Sequence, residues 1–165
     1  MHEKLTVAMN TTGASILRVV VGIVFAAHGW RKIMVGFDAV SKSFEAAGIP
    51  APLPAAFLVA IVELVGGILL IIGLKTRLAV IPLAITMAVA MTVVHLKNGF
   101  FLPEGYEFTL VLLAALITLG LVGPGALSVD RFLGRSRKAG GVSGKKGGKK
   151  DAASQTVERE GPEPA

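Results

Sequence analysis

The chain has 165 residues, 53% of them hydrophobic, and no cysteine. That excludes disulfides, zinc–thiolate and iron–sulfur sites, and thiol nucleophiles. The formal charge of +6 is concentrated in one region. Eight Lys/Arg and no acid fall between Arg131 and Lys150, so the positive balance describes a tail rather than the apolar body.

Four apolar stretches approach the roughly 20 residues that a helix needs to cross a ~30 Å hydrocarbon core. The first runs from Ala14 to Met34. Lys4 and the apolar run 16–27 imitate a secretory signal. Phe25, however, stands where cleavage needs a small residue, and Arg18 interrupts the run, so the segment is read as a retained span. In the connection that follows, Phe37, Val40, Phe44 and Ala47 recur at helical spacing while Asp38, Lys42 and Glu45 lie mostly off that stripe. This predicts a short amphipathic helix lying in the membrane interface, ended by Gly48 and by Pro50, Pro52 and Pro54.

The second span runs from Ala55 to Gly73, and Gly66, Gly67 and Gly73 thin one side of it for close helix contact. Lys75, Thr76 and Arg77 are too short a link for anything but an antiparallel hairpin. The third span runs from Leu78 to His95. Phe100, Phe101 and Tyr106 read as interfacial aromatics before a fourth span from Tyr106 to Val122. After Gly123-Pro124-Gly125 the composition turns to Gly, Lys, Ser, Glu and Pro, which cannot bury enough surface to order itself.

Bare backbone cannot be hydrogen-bonded by lipid, so these runs must be helical. The fold class expected is all-α: a transmembrane four-helix bundle with a short interfacial helix between the first two spans. Residues 1–13 form an N-terminal cytoplasmic segment, 14–130 the membrane domain, and 131–165 a basic, disordered cytoplasmic tail.

Lys/Arg in short loops stay in the cytoplasm. With both termini inside, thirteen of the seventeen basic residues are cytoplasmic, against Arg31, Lys32, Lys42 and Lys97 outside. The expected location is therefore the cell inner (plasma) membrane, multi-pass, with both ends cytoplasmic. The tail residues Arg135, Arg137, Lys138, Lys145, Lys146, Lys149 and Lys150 suit anionic lipid headgroups rather than nucleic acid.

A charge at mid-bilayer costs about 2.5–3.5 kcal/mol on insertion scales, so it is paired or faces a polar cavity. Glu63 sits near the centre of the second span. Arg18, in the first span about 9 Å away in depth by helical rise, is its expected partner. At the outer ends, His28, Arg31, Lys32, His95, Glu104 and Glu107 are expected to meet as a polar mouth above Glu63. Such a mouth suits proton exchange, a polar headgroup, or a quinone whose carbonyls need donors. His28 and His95 also have the character of haem axial ligands, but His95 lies close to water and haem is set aside. The chain carries no metal-ligand motif, Walker loop, G-x-G-x-x-G, H-E-x-x-H or serine elbow.

Several of these residues form an ordered series. His28-Gly29-Trp30-Arg31-Lys32 resembles the H-G-x-x-K element of the DoxX family of membrane proteins. Phe44 through Gly48-Ile49-Pro50 resembles its F-x-x-x-G-I-P step. Glu63-Leu64-Val65-Gly66-Gly67, followed by Gly73-Leu74-Lys75-Thr76-Arg77, is similar to its E-L-x-G-G…G-L-x-T-R hairpin. His95, Gly105-Tyr106-Glu107, Gly123-Pro124-Gly125 and Ser128-Val129-Asp130 follow in the family's order, over residues 15–131. The resemblance implies a small four-helix inner-membrane protein linked with quinone-dependent sulfur oxidation or with membrane-associated redox and oxidative-stress complexes.

The function expected is that of a membrane subunit of a redox-linked, quinone-interacting or oxidative-stress complex. It would act with a redox partner protein or as a homo-oligomer. A proton-coupled small-molecule carrier and a catalytic quinone oxidoreductase subunit stand as alternatives. No self-sufficient catalytic motif is present, and no cofactor other than quinone is indicated. The charge asymmetry makes a topological prediction. A reporter fused after Arg135 is expected in the cytoplasm, and one inserted beside Ala47 outside it; the same side for both would rule out the four-span arrangement.

Overall fold

A computed structural model describes residues 2–132, with side chains from residue 11 onward. The tail residues Arg135 to Lys150 named above, and the disorder expected of the tail, lie outside the described residues. Among those described there is no strand. The helices are α1 (His2–Val35), α2 (Phe37–Ala46), α3 (Pro52–Ile72), α4 (Thr76–Val89) and α5 (Glu107–Val122). α4 continues through a π-helical stretch at Ala90–His95 and a 3₁₀ turn at Leu96–Asn98.

α1 begins well before the expected start at Ala14, because no proline interrupts the residues ahead of it. Within it, Thr11–Val35 is long and apolar enough to cross a membrane, as are Pro52–Ile72 and Thr76–Asn98. α5 is a shorter, mostly apolar helix of 16 residues, about 24 Å long. It packs along α4 and touches α1, so the four long helices close into a ring in the order α1, α3, α4, α5. The two ends of the domain meet. Ala126 donates its N–H to the Thr11 carbonyl at 3.0 Å, and Leu127 donates to the Ser15 hydroxyl at 3.1 Å. The end of the bundle carrying these contacts is termed proximal, and the opposite end distal.

Helix ends follow the glycines. At Gly48 (φ 78°), Ile49 N–H reaches back to the Phe44 carbonyl at 2.9 Å. At Gly73 (φ 70°), Leu74 N–H reaches Leu69 at 3.0 Å. Both close a helix C-terminus with a left-handed residue that glycine adopts without steric cost. Pro52 then opens α3 at a position where its missing N–H is no loss. In α2, Phe37, Val40, Phe44 and Ala47 are half-buried while Asp38, Lys42 and Glu45 are exposed. Its apolar stripe is spent on α3, with Phe37 against Phe57 at a 5.3 Å ring separation.

α1 and α3 pack most extensively. A Cβ at Gly22 would lie 2.8 Å from the Gly67 carbonyl, and one at Gly29 would lie 2.8 Å from the Ala60 carbonyl. Backbone therefore runs against backbone, as small-residue interfaces in membranes allow. Gly66, one residue round the helix from Gly67, instead makes room for Leu83 of α4 at 3.0 Å. The packed core is Val21, Phe25, Leu70, Val80, Leu83, Leu116 and Leu119 with their neighbours. Outward the bundle is oily: Ile16, Val20, Ile81, Val111, Ile117 and Leu121 are all exposed. A surface of this extent suits lipid and not water.

Arg18 does not meet Glu63, contrary to expectation. The α1–α3 register places Arg18 opposite Gly73, ten residues from Glu63 along α3, a depth of about 15 Å and beyond reach. Arg18 is 1% exposed, and its guanidinium donates to the Leu70, Ile71 and Leu127 carbonyls. Two of these lie in the last turn of α3, where Leu70 otherwise receives only the Gly73 N–H at 3.2 Å and a cation is also favoured by the helix dipole. Asp130 completes the clasp. Its carboxylate accepts from Lys75 N at 2.8 Å and Thr76 N at 3.1 Å, capping α4, and its own N–H donates to the Gly73 carbonyl at 3.1 Å.

Replacing Arg18 by Met is expected to cost about 2–5 kcal/mol, because buried carbonyls lose their donors with no water to replace them. Arg18→Lys recovers only part, since an ammonium lacks the fork that reaches both segments. In denaturant titrations of detergent-solubilised protein, Arg18→Met and Glu63→Gln should add within about 0.5 kcal/mol. A larger coupling would reinstate the Arg18–Glu63 pair.

Candidate functional site: a cavity in the distal half

The distal half of the bundle is hollow. No residue of α4 beyond Met87, and none of α5 before Leu112, belongs to the packed core. Above them lies a cavity of about 700 Å³. Its walls are mostly apolar, with Val24, Phe25, Leu58, Val62, Met87 and Leu112 among them.

Two departures from α-helical hydrogen bonding border this space. Pro82 has no N–H to give to the Leu78 carbonyl, and the π-helical stretch widens the helix up to His95. π-Bulges of this kind occur frequently at functional sites. The roof consists of Phe44 and Ile49 from the end of α2, and of Leu102 and Pro103 from the loop that joins His95 to α5. That loop is held by Glu107, whose Oε1 accepts from Leu102 N at 2.8 Å. It is held also by His95, whose Nδ1 lies 2.8 Å from the Glu104 carbonyl. A carbonyl only accepts, so Nδ1 carries the proton and the neutral ring keeps its lone pair on Nε2. Phe100 stacks edge-on against both Phe101 and Tyr106, and Phe101 projects with 78% of its surface exposed.

One ion pair stands in the cavity wall. Lys32 Nζ bonds Glu63 Oε2, with the carboxylate side chain 3% exposed and the lysine side chain 21%. It is the one salt bridge among the described residues. The partner follows from helix geometry. The α1–α3 register sets Lys32 about four residues, or 6 Å, distal to Glu63, and the lysine stem reaches back down. His28 and Arg31 line the same space, and the His28 ring lies 6.0 Å from that of Phe108. Thr86 and Thr109 add hydroxyls to the wall; each donates to its own helix, to Pro82 and Tyr106, and keeps lone pairs to accept with.

Of the residues singled out in the sequence, His28, Lys32, Glu63 and His95 thus meet around one cavity, with Arg31 beside them. Arg18 lies at the proximal clasp, and Glu107 braces the roof without lining the cavity. Lys32 as the partner of Glu63 was not foreseen. Its spacing of three residues from Gly29, the point of closest helix approach, is the signal that would have found it. Among the described residues no group of three or more His, Asp or Glu side chains is arranged to hold a metal.

The site lies on a recognisable scaffold. The DoxX family model matches residues 13–96. "Putative oxidoreductase CatD" of Bacillus subtilis is 36% identical over 79% of this chain and 94% of its own. "Uncharacterized membrane protein Rv3486" of Mycobacterium tuberculosis is 37% identical over 76% of this chain and 84% of its own. "Inner membrane protein YphA" of Escherichia coli is 31% identical over 70% of this chain and 86% of its own. No solved structure matches. Apolar spans, a lipid-compatible surface and these relatives agree that this is a membrane protein, and the chain belongs to the DoxX family.

Proposed function

We propose that the protein is a membrane subunit of a redox-linked complex and that its distal cavity receives a quinone. The observation that carries this reading is an apolar cavity of about 700 Å³ with a Lys–Glu pair set into its wall. The volume lies in the range of small-molecule sites, which combine apolar walls with a few convergent polar groups. The walls accept a ring and its hydrocarbon chain, while Lys32 and His28 provide donors for ring carbonyls and His95 Nε2 can accept from a ring hydroxyl of the reduced form. The relative named as an oxidoreductase supports the redox link. In this reading the chain binds and orients the quinone. A redox partner protein, self-association into an oligomer, both ends in the cytoplasm of an inner (plasma) membrane, and a tail resting on anionic lipid all belong to the same proposal.

The ion pair supplies the test, using decylubiquinone binding and thermal unfolding in lipid nanodiscs. Lys32→Met leaves the Glu63 carboxylate buried without its cation and is expected to cost about 2–4 kcal/mol. Glu63→Gln should cost less, because the freed lysine can extend toward the distal surface. The double variant Lys32→Met with Glu63→Gln is expected to recover most of the stability while binding decylubiquinone at least about tenfold more weakly, the effect of one lost charge-assisted hydrogen bond. Recovery of both would reduce the pair to architecture. Wild-type protein that ignores decylubiquinone but couples solute uptake to a proton gradient would favour the carrier.

A further inference from the structure

A second, smaller cavity of about 240 Å³ lies beside the first, between α1 and α2. Ala39, Val40 and Ser43 of α2 face it, and it shares His28, Arg31 and Lys32 with the main cavity. The two spaces therefore adjoin along one turn of α1 that carries three basic side chains. Charge does not balance there. Lys32 is compensated by Glu63, but Arg31 has no acidic partner among the described residues. The acids on the neighbouring helix, Asp38 and Glu45, are exposed and line neither cavity. A neutral ligand would use the apolar walls and leave the Arg31 guanidinium uncompensated at the junction. Guanidinium is the side chain best shaped to take a carboxylate, enolate or phosphate oxygen through paired N–H groups.

We infer that the cavity selects an amphiphile with a negatively charged head, its apolar body in the larger space and its anionic group against Arg31 where the two cavities meet. This rests on the distal cavity being a ligand site, as proposed above, and adds the charge of the ligand and the residue that reads it. An ionised hydroxyquinone and a lipid phosphate share the required chemistry. Lys32 can contribute a second N–H without leaving Glu63, since an ammonium has three donors.

Matched pairs of probes in nanodiscs made from zwitterionic lipid test the inference. One pair is a prenylated 2-hydroxy-1,4-naphthoquinone, anionic at neutral pH, and its methyl ether. The other is lysophosphatidate and the corresponding monoacylglycerol. The acidic member of at least one pair is expected to bind roughly tenfold more tightly than its neutral twin, the effect of one charge-assisted hydrogen bond. In Arg31→Gln that ratio should fall to within about threefold. Arg31 is exposed, so the variant should fold, and an unchanged unfolding temperature checks this. If acid and ether bind equally well to the wild type and the lipids show no preference, the inference fails while the quinone site survives. An acid preference that Arg31→Gln leaves intact also overturns it. Arg31-dependent binding of lysophosphatidate, with neither naphthoquinone bound, would uphold the anionic amphiphile and remove the quinone. No binding of any of the four would sink both.

Discussion

A helix can approach another to backbone contact only where a side chain is missing from the seam, and α1 and α3 do so at Gly22, Gly29 and Gly67. Three such points on two helices leave no freedom to slide. A shift of one residue would drive a Cβ into a facing carbonyl. The register is thereby fixed, with Gly22 beside Gly67 and Ile71 and Gly29 beside Ala60 and Leu64. The placement of two cations of α1 follows from it. Arg18 is carried to the C-terminus of α3, where carbonyls lack donors, and Lys32 to within reach of Glu63. Two cations fourteen residues apart on one helix thus serve the C-terminus and the middle of another.

The two ends differ in how they are filled. Proximally, Arg18, Asp130 and the Ser15 hydroxyl satisfy the backbone groups that helix ends and turns leave open, and the apolar core closes above them. Those backbone groups have protein partners, as suits a structural clasp, while Arg18 Nε and the Thr76 hydroxyl are buried there without one among the described residues. Distally, Pro82, the π-helical stretch and the thin loop after it withhold side chains from the centre, and a cavity results. Close packing is the norm in protein interiors. Here a partly open cavity, with a charge pair in its wall, stands in the same domain as a dense core.

Much of this was legible from composition. Helix existence, the apolar stripe of Phe37, Val40, Phe44 and Ala47, the hairpin at Lys75 to Arg77 and the close contact made by Gly67 all follow from periodicity and glycine placement. The partner of Glu63 did not. Depth along the membrane, counted from each span's presumed start, set Arg18 about 9 Å away, whereas the glycine contacts set it about 15 Å away. Depth cannot decide between two cations on one helix; register can, and Gly29 held that information. Glu107 illustrates the converse. Its place at the start of a span marked it as a mouth residue, but its carboxylate turns back to Leu102 N, a local turn contact that no spacing announces. The cavity itself was invisible, because a void depends on which side chains fail to meet.

The family motifs divide along the same line as the structure. Gly73-Leu74-Lys75-Thr76-Arg77 and Ser128-Val129-Asp130 build the proximal clasp, where the Asp130 carboxylate and N–H both meet backbone. His28-Gly29-Trp30-Arg31-Lys32, Glu63 and His95 surround the cavity, and Phe44 with Ile49 roofs it. One motif bridges the two roles. In Glu63-Leu64-Val65-Gly66-Gly67 the glycines fix the helix contacts and the glutamate faces the ion pair, four residues from the contact that positions it. A substitution at Gly67 would therefore disturb the site without touching it. A side chain there pushes α1 away from α3 and with it Lys32 from Glu63, so the charge pair is only as well placed as the glycine seam below it.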